Sequence, residues 1–481
     1  MNDLLAILPE LAVTLTAAAV LVADLAIKGP RRLRALSLVT LAGLIVAALT
    51  ARPGTIVTPY TAFNGFVVVD EFTQFFRVLF ILLAFIAVLA AEEYSARRQL
   101  PYAELIATLL FSTLGAMTIA LSGDLITLFV GLELMTIPVY VLAGMQRRNP
   151  FSNEAALKYF LLGAFSTAIL LYGFAWLYGL TGSTELRGIA GGLASTGLTG
   201  PVLVALALVT VGLSFKAAVV PFHQWTPDAY DGAPTPVTAF MSVAPKAAAF
   251  AAILRLVGVG LQPLQIDWTV AFAVLAALTM TLGNVVALAQ TSVKRMLAYS
   301  SIAHTGYIAA GVAAAQAGPQ AWAGVLFYAF AYGVMNIGAF AALLVLDTEG
   351  TRGAALDELR GLARRAPWPA LSFTVLLISL TGLPPTVGFW AKVFVFLPTL
   401  DAGLGWLAVI MALNAALAAY YYLRVVVYMY MLDPEGAVPD LANARLVGTA
   451  VGLTAIASIV LGIWTDPLYS WAAIAAAPIL R

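Results

Sequence analysis

The sequence has no cysteine, only two histidines, and only 10% charged side chains across 481 residues. Without cysteine there is no disulfide framework, no thiolate nucleophile and no cysteine-held iron–sulfur cluster. The two histidines, His223 in VVPFHQWTPDAY and His304 in SSIAHTGY, do not make a zinc site by themselves. Charge of one sign is also missing: 25 Lys and Arg stand against 24 Asp and Glu, a net charge of +1, which offers no basis for nucleic-acid binding. No GxSxG, no Walker loop and no dinucleotide fingerprint in a strand–helix context occurs, so no nucleotide site is detected. No linker long enough to separate domains is present either. The longest polar insert, DTEGTRGAALDELRGLARRAPWP at 347–369, reads as a cytoplasmic amphipathic connection, and residues 1–481 read as one domain.

What the chain has in abundance is apolar length. Hydrophobic residues make up 62% and the mean hydropathy is +0.95, whereas a soluble domain carries roughly 25% charged residues. Runs of about 20 apolar residues, the length that crosses a ~30 Å hydrocarbon core as helix, recur from end to end. Fourteen are expected, at about 4–27, 33–51, 71–91, 102–121, 124–145, 155–180, 201–218, 236–258, 268–289, 296–314, 320–346, 370–397, 403–431 and 446–466. None shows the period-2 alternation of a barrel strand, so the fold class is an all-α polytopic membrane bundle. The first run exceeds a signal peptide's apolar region and is followed by KGPRRLR rather than a cleavage site, so it is expected to remain as a span.

The basic residues give an orientation. Fifteen of the 25 Lys and Arg fall in alternate loops: 28–34, Arg97 and Arg98, Arg147 and Arg148, Lys294 and Arg295, the 347–369 loop, and Arg445. The opposite loops and tails hold Arg52, Arg187 and Arg481. The positive-inside rule then puts both termini on the non-cytoplasmic side of the plasma membrane, which needs an even number of spans.

Two spans are interrupted, each near a lysine: SFKAAVVPF around Lys216 and LTGLPPTVGFWAKVFVF around Lys392. Paired interrupted spans point to an inverted-repeat transporter core. Repeats of five spans at roughly 100–260 and 267–432 put a broken span fourth in each.

Three of the six lysines lie well inside apolar spans: Lys216, Lys246 in FMSVAPKAAAF, and Lys392. Each costs ~2.5–3.5 kcal/mol at the centre of a spanning helix, which implies a hydrated or paired polar interior. Glu133, the carboxylate inside the fifth span, is the natural counter-ion for one of them. Desolvation drives a proton off a buried lysine and a nearby carboxylate holds it on, so a Glu–Lys pair that opens and closes can move a proton near neutral pH. The competing explanations are structural: a buried ion pair that only holds helices, or a lysine that snorkels to the interface. Lys158, four residues after Glu154, fits a snorkelling i,i+4 pair as well as it fits transfer. Arg77, Arg255 and Arg424 read as anchors. His223 is expected at the cytoplasmic mouth of the first broken span with Asp228 and Asp231 nearby, and His304 inside the tenth span. Either histidine fits a structural role as well as a titrating one.

The stretch SFKAAVVPFHQWTPDAYDGAPTPVTAFMSVAPKAAAF at 214–250 resembles the signature of the antiporter-like membrane subunits of respiratory complex I, shared with the Mrp-type cation/proton antiporters. GDLITLFVGLELMTIPVYVL (123–142), SVKRMLAYSSIAHTGY (292–307) and LTGLPPTVGFWAKVFVF (380–396) are similar to the same family, and with the span count they cover most of the chain. WTPDAYDGAP, the lysine in PPTVGFWAKVFVF, and the N-terminal LLAILPELAVTLTAAAVLVADL with Glu10 and Asp24 look like the N-type subunits, the counterparts of mitochondrial ND-two.

The resemblance implies a proton-translocating subunit of NADH:quinone oxidoreductase, an enzyme subunit of the translocase type with no redox site in this chain. Glu133 and Lys216 would form the ion pair of a half-channel open to the cytoplasm, Lys246 the central relay, and Lys392 the second half-channel towards the outside. Lys158, His223, Asp228 and His304 are accessory candidates. No cofactor is expected on the chain itself; NADH, FMN, iron–sulfur clusters and quinone belong to the whole complex. The implied partners are the M-type subunit, the small quinone-proximal membrane subunits and the lipid bilayer. The open alternatives are an Mrp-type antiporter subunit and a purely structural membrane scaffold.

Overall fold

The computed structural model describes residues 3–52, 58–345, 355–433 and 445–480; the start of the 347–369 connection, with Arg352, and the terminal Arg481 lie outside the described residues. The chain is helical nearly throughout. The N-terminal part comprises α1 (Asp3–Ala6), α2 (Leu8–Ala26), α3 (Arg32–Ala51), a hairpin of β1 (Tyr60–Ala62) and β2 (Val67–Val69), and α4 (Glu71–Arg98). Next come α5 (Tyr102–Ala120), α6 (Leu125–Ala143), α7 (Pro150–Thr181), α8 (Leu186–Thr196), α9 (Gly200–Ala217), α10 (Trp225–Gly232), α11 (Thr235–Met241) and α12 (Ala244–Arg255). The remainder is α13 (Gln265–Leu288), α14 (Val293–Ala313), α15 (Pro319–Leu343), α16 (Leu362–Arg365), α17 (Pro367–Thr381), α18 (Val387–Asp401), α19 (Gly405–Met431), α20 (Arg445–Ile463) and α21 (Asp466–Ala476).

Among the described residues, twelve helical segments are long and apolar enough to cross a membrane. The other two of the fourteen expected spans are also present as helix. One is α14, 21 residues whose interior carries the polar sequence SSIAHT. The other is the interrupted pair α17 and α18, 15 residues each.

Local chemistry sets the ends of these helices. Asp70 caps α4 by accepting from the Thr73 N–H at 2.8 Å, and Asp124 caps α6 through the Thr127 N–H at 2.7 Å. Each satisfies an otherwise orphaned donor of the first turn. Arg97 and Arg98 fall in the last turn of α4, where the helix dipole favours positive charge. The run expected as one span at 236–258 is divided between Met241 and Ala244, because Pro245 has no N–H to return to the Met241 carbonyl four residues back. The same segment ends in a π-helical turn at Leu256–Gly260.

Burial is graded from rim to centre. α7 turns Phe160, Leu161, Phe165 and Tyr172 outward, an apolar face suited to lipid or to a neighbouring subunit. By contrast, α11, α12, α14 and α15 are enclosed along almost their whole length. α5 packs on α6 and α13 on α14; α7 packs on α9 and α15 on α18. The enclosed helices carry the unusual polar residues.

Candidate functional site

Lys216 ends α9. The helix stops because Ala218 turns into the left-handed region (φ 62°), and the chain then crosses an irregular stretch before α10. Polar groups freed by this break are met from three sides. The Thr305 hydroxyl of α14 donates to the Ala217 carbonyl at 3.0 Å. The Val220 N–H donates to Thr279 Oγ1 of α13 at 3.0 Å, and the Trp225 indole N–H to the Phe215 carbonyl at 3.0 Å. Non-helical backbone at membrane depth persists only where such partners exist.

The Lys216 ammonium donates to Glu133 Oε1 at 3.3 Å, to Thr136 Oγ1 at 3.3 Å and to Thr167 Oγ1 at 3.0 Å. Thr167 in turn donates to Glu133 Oε1 at 2.8 Å. The pair is asymmetric: the lysine side chain is 2% exposed and the glutamate 23%. The cation is therefore sealed inside while its counter-charge reaches the perimeter between α6 and α7.

Lys246 follows Pro245 in the first turn of α12 and is buried. Its ammonium donates to Ser301 Oγ of α14 and stands 5.7 Å from the centroid of the Tyr230 ring. Lys392, on α18, folds back across the second break and donates to the Thr381 carbonyl, the last of α17, at 2.6 Å. It also stands 5.0 Å from the Tyr307 ring centroid. Gly382, at φ +86°, leaves the room: a Cβ there would come within 2.8 Å of Lys392 Cδ. Lys216 and Lys392 thus both sit at the C-terminal, electronegative end of a half-helix, which stabilises an ammonium.

His304 is enclosed between tyrosines. Its Nδ1 lies 2.8 Å from Tyr328 Oη and its Nε2 3.2 Å from Tyr422 Oη, and Tyr422 is also hydrogen-bonded to Ser300. His223 lies in the first break, but among the described residues it forms no ion pair and its buried Nδ1 has no hydrogen-bond partner. Asp228 is engaged elsewhere, with Lys158 Nζ at 2.8 Å and Arg295 Nη1 at 3.0 Å, and Asp231 accepts from Ser292 at 3.3 Å. Lys158 also pairs with Glu154 at 2.7 Å. Glu154, Asp228, Asp231 and Arg295 of this cluster line a cleft of about 1180 Å³ between the ends of α5, α6, α7, α10 and α14.

The arginines are tied into the scaffold. Arg77 meets Glu10 at 2.7 and 2.8 Å and the Ala6 carbonyl at 2.7 Å. Arg255 makes a two-pronged pair with Asp70 at 2.6 and 2.7 Å, with the Thr73 hydroxyl and Ala120 carbonyl completing its shell. Arg424 donates to the Leu288 and Gln290 carbonyls at 3.1 and 2.7 Å, closing the end of α13. No group of three or more His, Cys, Asp or Glu side chains suited to a metal ion occurs among the described residues.

Sequence reasoning missed the neutral groups that organise the lysines: Thr136, Thr167, Ser301, Thr305 and Tyr332. Only Ser301 and Thr305 have a local signal, the run SSIAHT inside an apolar span, and it has no unique meaning without partners; Thr136, Thr167 and Tyr332 have none.

Residues 122–418 match the family described as NADH:quinone oxidoreductase/Mrp antiporter, TM. NADH-quinone oxidoreductase subunit N of Trichlorobacter lovleyi is 44% identical over 465 residues, covering 95% of this chain and 93% of that one. NADH-quinone oxidoreductase subunit N 1 of Sorangium cellulosum is 47% identical over 412 residues, covering 83% and 81%. Among solved structures, a chain of respiratory complex I from Thermus thermophilus with bound aureothin superposes with a TM-score of 0.82 at 34% identity, covering 97% of this chain and 99% of that one. A chain of the Mrp complex from Dietzia sp. DQ12-45-1b gives 0.87 at 23% identity over 100% and 98% of the two chains, a likeness of fold alone. Fourteen helical spans among the described residues, relatives matched over most of their length that share one name, and a matching complex I chain leave one assignment: the chain belongs to the subunit N family of NADH-quinone oxidoreductase, as a multi-pass, antiporter-like part of a multi-subunit respiratory membrane complex.

Proposed function

We propose that this subunit carries protons outward across the membrane through Glu133, Lys216, Lys246 and Lys392, driven by quinone reduction elsewhere in the complex. One observation carries the reading: a single buried helix, α14, touches all three lysine sites. Thr305 takes the carbonyl next to Lys216, Ser301 takes the Lys246 ammonium, and the Tyr307 ring faces Lys392. Lys216 receives a proton from the cytoplasmic side while Glu133 is close and releases it towards Lys246 when the pair loosens. Lys392 delivers it to the outside, with His304 between the two inner lysines and Lys158, His223 and Asp228 serving the entry. Each charge moved against 100 mV requires ~2.3 kcal/mol, which the redox reaction of the complex supplies.

The repeats at roughly 100–260 and 267–432 fit this scheme. Five spans is an odd number, so the second repeat starts on the opposite side of the membrane and presents its lysine to the opposite face. In this arrangement both termini lie on the non-cytoplasmic side of the inner (plasma) membrane. The M-type subunit and the small quinone-proximal membrane subunits are the neighbours, and NADH, FMN, iron–sulfur clusters and quinone act in other chains.

The test is made in the assembled complex. Glu133→Ala or Lys216→Ala leaves NADH oxidation by an artificial acceptor intact and lowers coupled quinone reduction and pumping. A normal proton-to-electron ratio in assembled Lys216→Ala or Lys246→Ala sinks the relay.

A further inference from the structure

Lys246 stands where its own helix is broken, and two tyrosines close that break. The Met241 carbonyl, left open by Pro245, accepts from Tyr230 Oη at 3.3 Å, and the next carbonyl, Ser242, accepts from Tyr332 Oη of α15 at 3.1 Å. Both tyrosines are also next to the lysine: Tyr230 presents its ring to the ammonium, and Tyr332 Oη lies 2.7 Å from Ser301 Oγ, the atom that receives the ammonium proton. Asn336, one turn along α15, donates to Tyr332 Oη at 2.9 Å and to Ser242 Oγ at 2.9 Å, so the phenol oxygen is held from a third direction. Every member of this group is buried.

We propose that Tyr332, through Ser301, is the positioning residue for Lys246. Its hydroxyl has one proton and two acceptors within reach, the Ser242 carbonyl and Ser301 Oγ. When the proton is on Ser242, the Ser301 hydroxyl turns to the phenol oxygen; when it is on Ser301, the serine accepts twice. In both arrangements Ser301 keeps a lone pair aimed at the ammonium. The tyrosine thereby joins the shape of the kink to the hydrogen bond that holds the transferable proton. A buried polar network of this kind fixes geometry because the low-dielectric surroundings make breaking any of its hydrogen bonds costly.

The inference rests on the relay reading of Lys246, and the experiment separates the two. In the assembled complex, Tyr332→Phe removes one oxygen and Ser301→Ala another, with little change in packing volume. Each lowers the maximal rate of coupled quinone reduction and the protons moved per electron. The expected loss is about tenfold in rate, the lower end of what one hydrogen bond to a charged group contributes. The KM for quinone and the artificial-acceptor rate stay at wild-type values, which general disruption of the subunit would not preserve. The double variant falls no further than about twofold below the worse single, since both act through one contact. If Lys246→Ala abolishes pumping while Tyr332→Phe and Ser301→Ala pump normally, or if their losses multiply, the positioning role is overturned and the relay stands. If Lys246→Ala itself pumps normally, the relay fails and this inference with it.

Discussion

Replacing Asp70 by asparagine changes one atom type and one formal charge, and the structure gives the size of the effect. Asp70 and Arg255 are both buried, 3% and 4% exposed at the side chain, and meet through two contacts at 2.6 and 2.7 Å. Asparagine keeps the shape and still caps α4, so the loss is the carboxylate charge opposite an enclosed guanidinium. An uncompensated buried charge of this kind costs about 3–5 kcal/mol. Against a net stability of roughly 5–15 kcal/mol, that is a large fraction. Asp70→Ala adds about 1 kcal/mol for the lost cap. Asp70→Asn/Arg255→Met recovers most of the loss, because the stranded cation is gone as well. The measurements are the level of the subunit in membranes by immunoblot and the temperature at which it leaves the detergent-solubilised complex. Wild-type values of both in Asp70→Asn would refute the reasoning and mean that the guanidinium finds water or another acceptor.

Gly382→Ala puts a Cβ 2.8 Å from Lys392 Cδ at a backbone φ of +86°. The left-handed conformation costs about 1–2 kcal/mol, and the lysine is pushed off the Thr381 carbonyl; coupled turnover falls while artificial-acceptor oxidation holds, measured in the same membranes. Lys158→Ala breaks contacts with Glu154 and Asp228 on a side chain that is 44% exposed. Screening keeps the stability change within about 1 kcal/mol, so the thermal release temperature of Lys158→Ala stays near wild type, and any loss of pumping in that variant marks a role in proton entry.

The legible features of the sequence were those with no inexpensive alternative. A lysine inside an apolar run needs a reason, so Lys216, Lys246 and Lys392 stood out, and Glu133 was the carboxylate at hand for one of them. The two interruptions were readable because proline and glycine break helices wherever they fall. What stayed hidden was pairing across distance. Asp70 sits just ahead of a span and looks like a cap, which it is, and nothing local ties it to Arg255. Ser301, Thr305 and Tyr332 are inexpensive in an apolar helix, so their presence does not announce a partner. The division of span 236–258 into two helices was implied by Pro245, yet the tyrosines that repair it come from other parts of the chain.

The two broken spans differ in how their lysine is countered. Lys216 has both the end of its half-helix and a carboxylate on a side chain that reaches the rim of the subunit. Lys392 has a backbone carbonyl and an aromatic face, neither of which carries a formal charge that a neighbour could draw away. In the proposed relay the first site is therefore the adjustable one, and the second lacks a charged partner to adjust. A pull on Glu133 from outside the chain, in the proposed relay, loosens its 3.3 Å contact with Lys216, whereas Lys392 has no carboxylate contact among the described residues through which such a pull could act. Under that proposal, direction comes from placing the adjustable element at one end and the unadjustable one at the other.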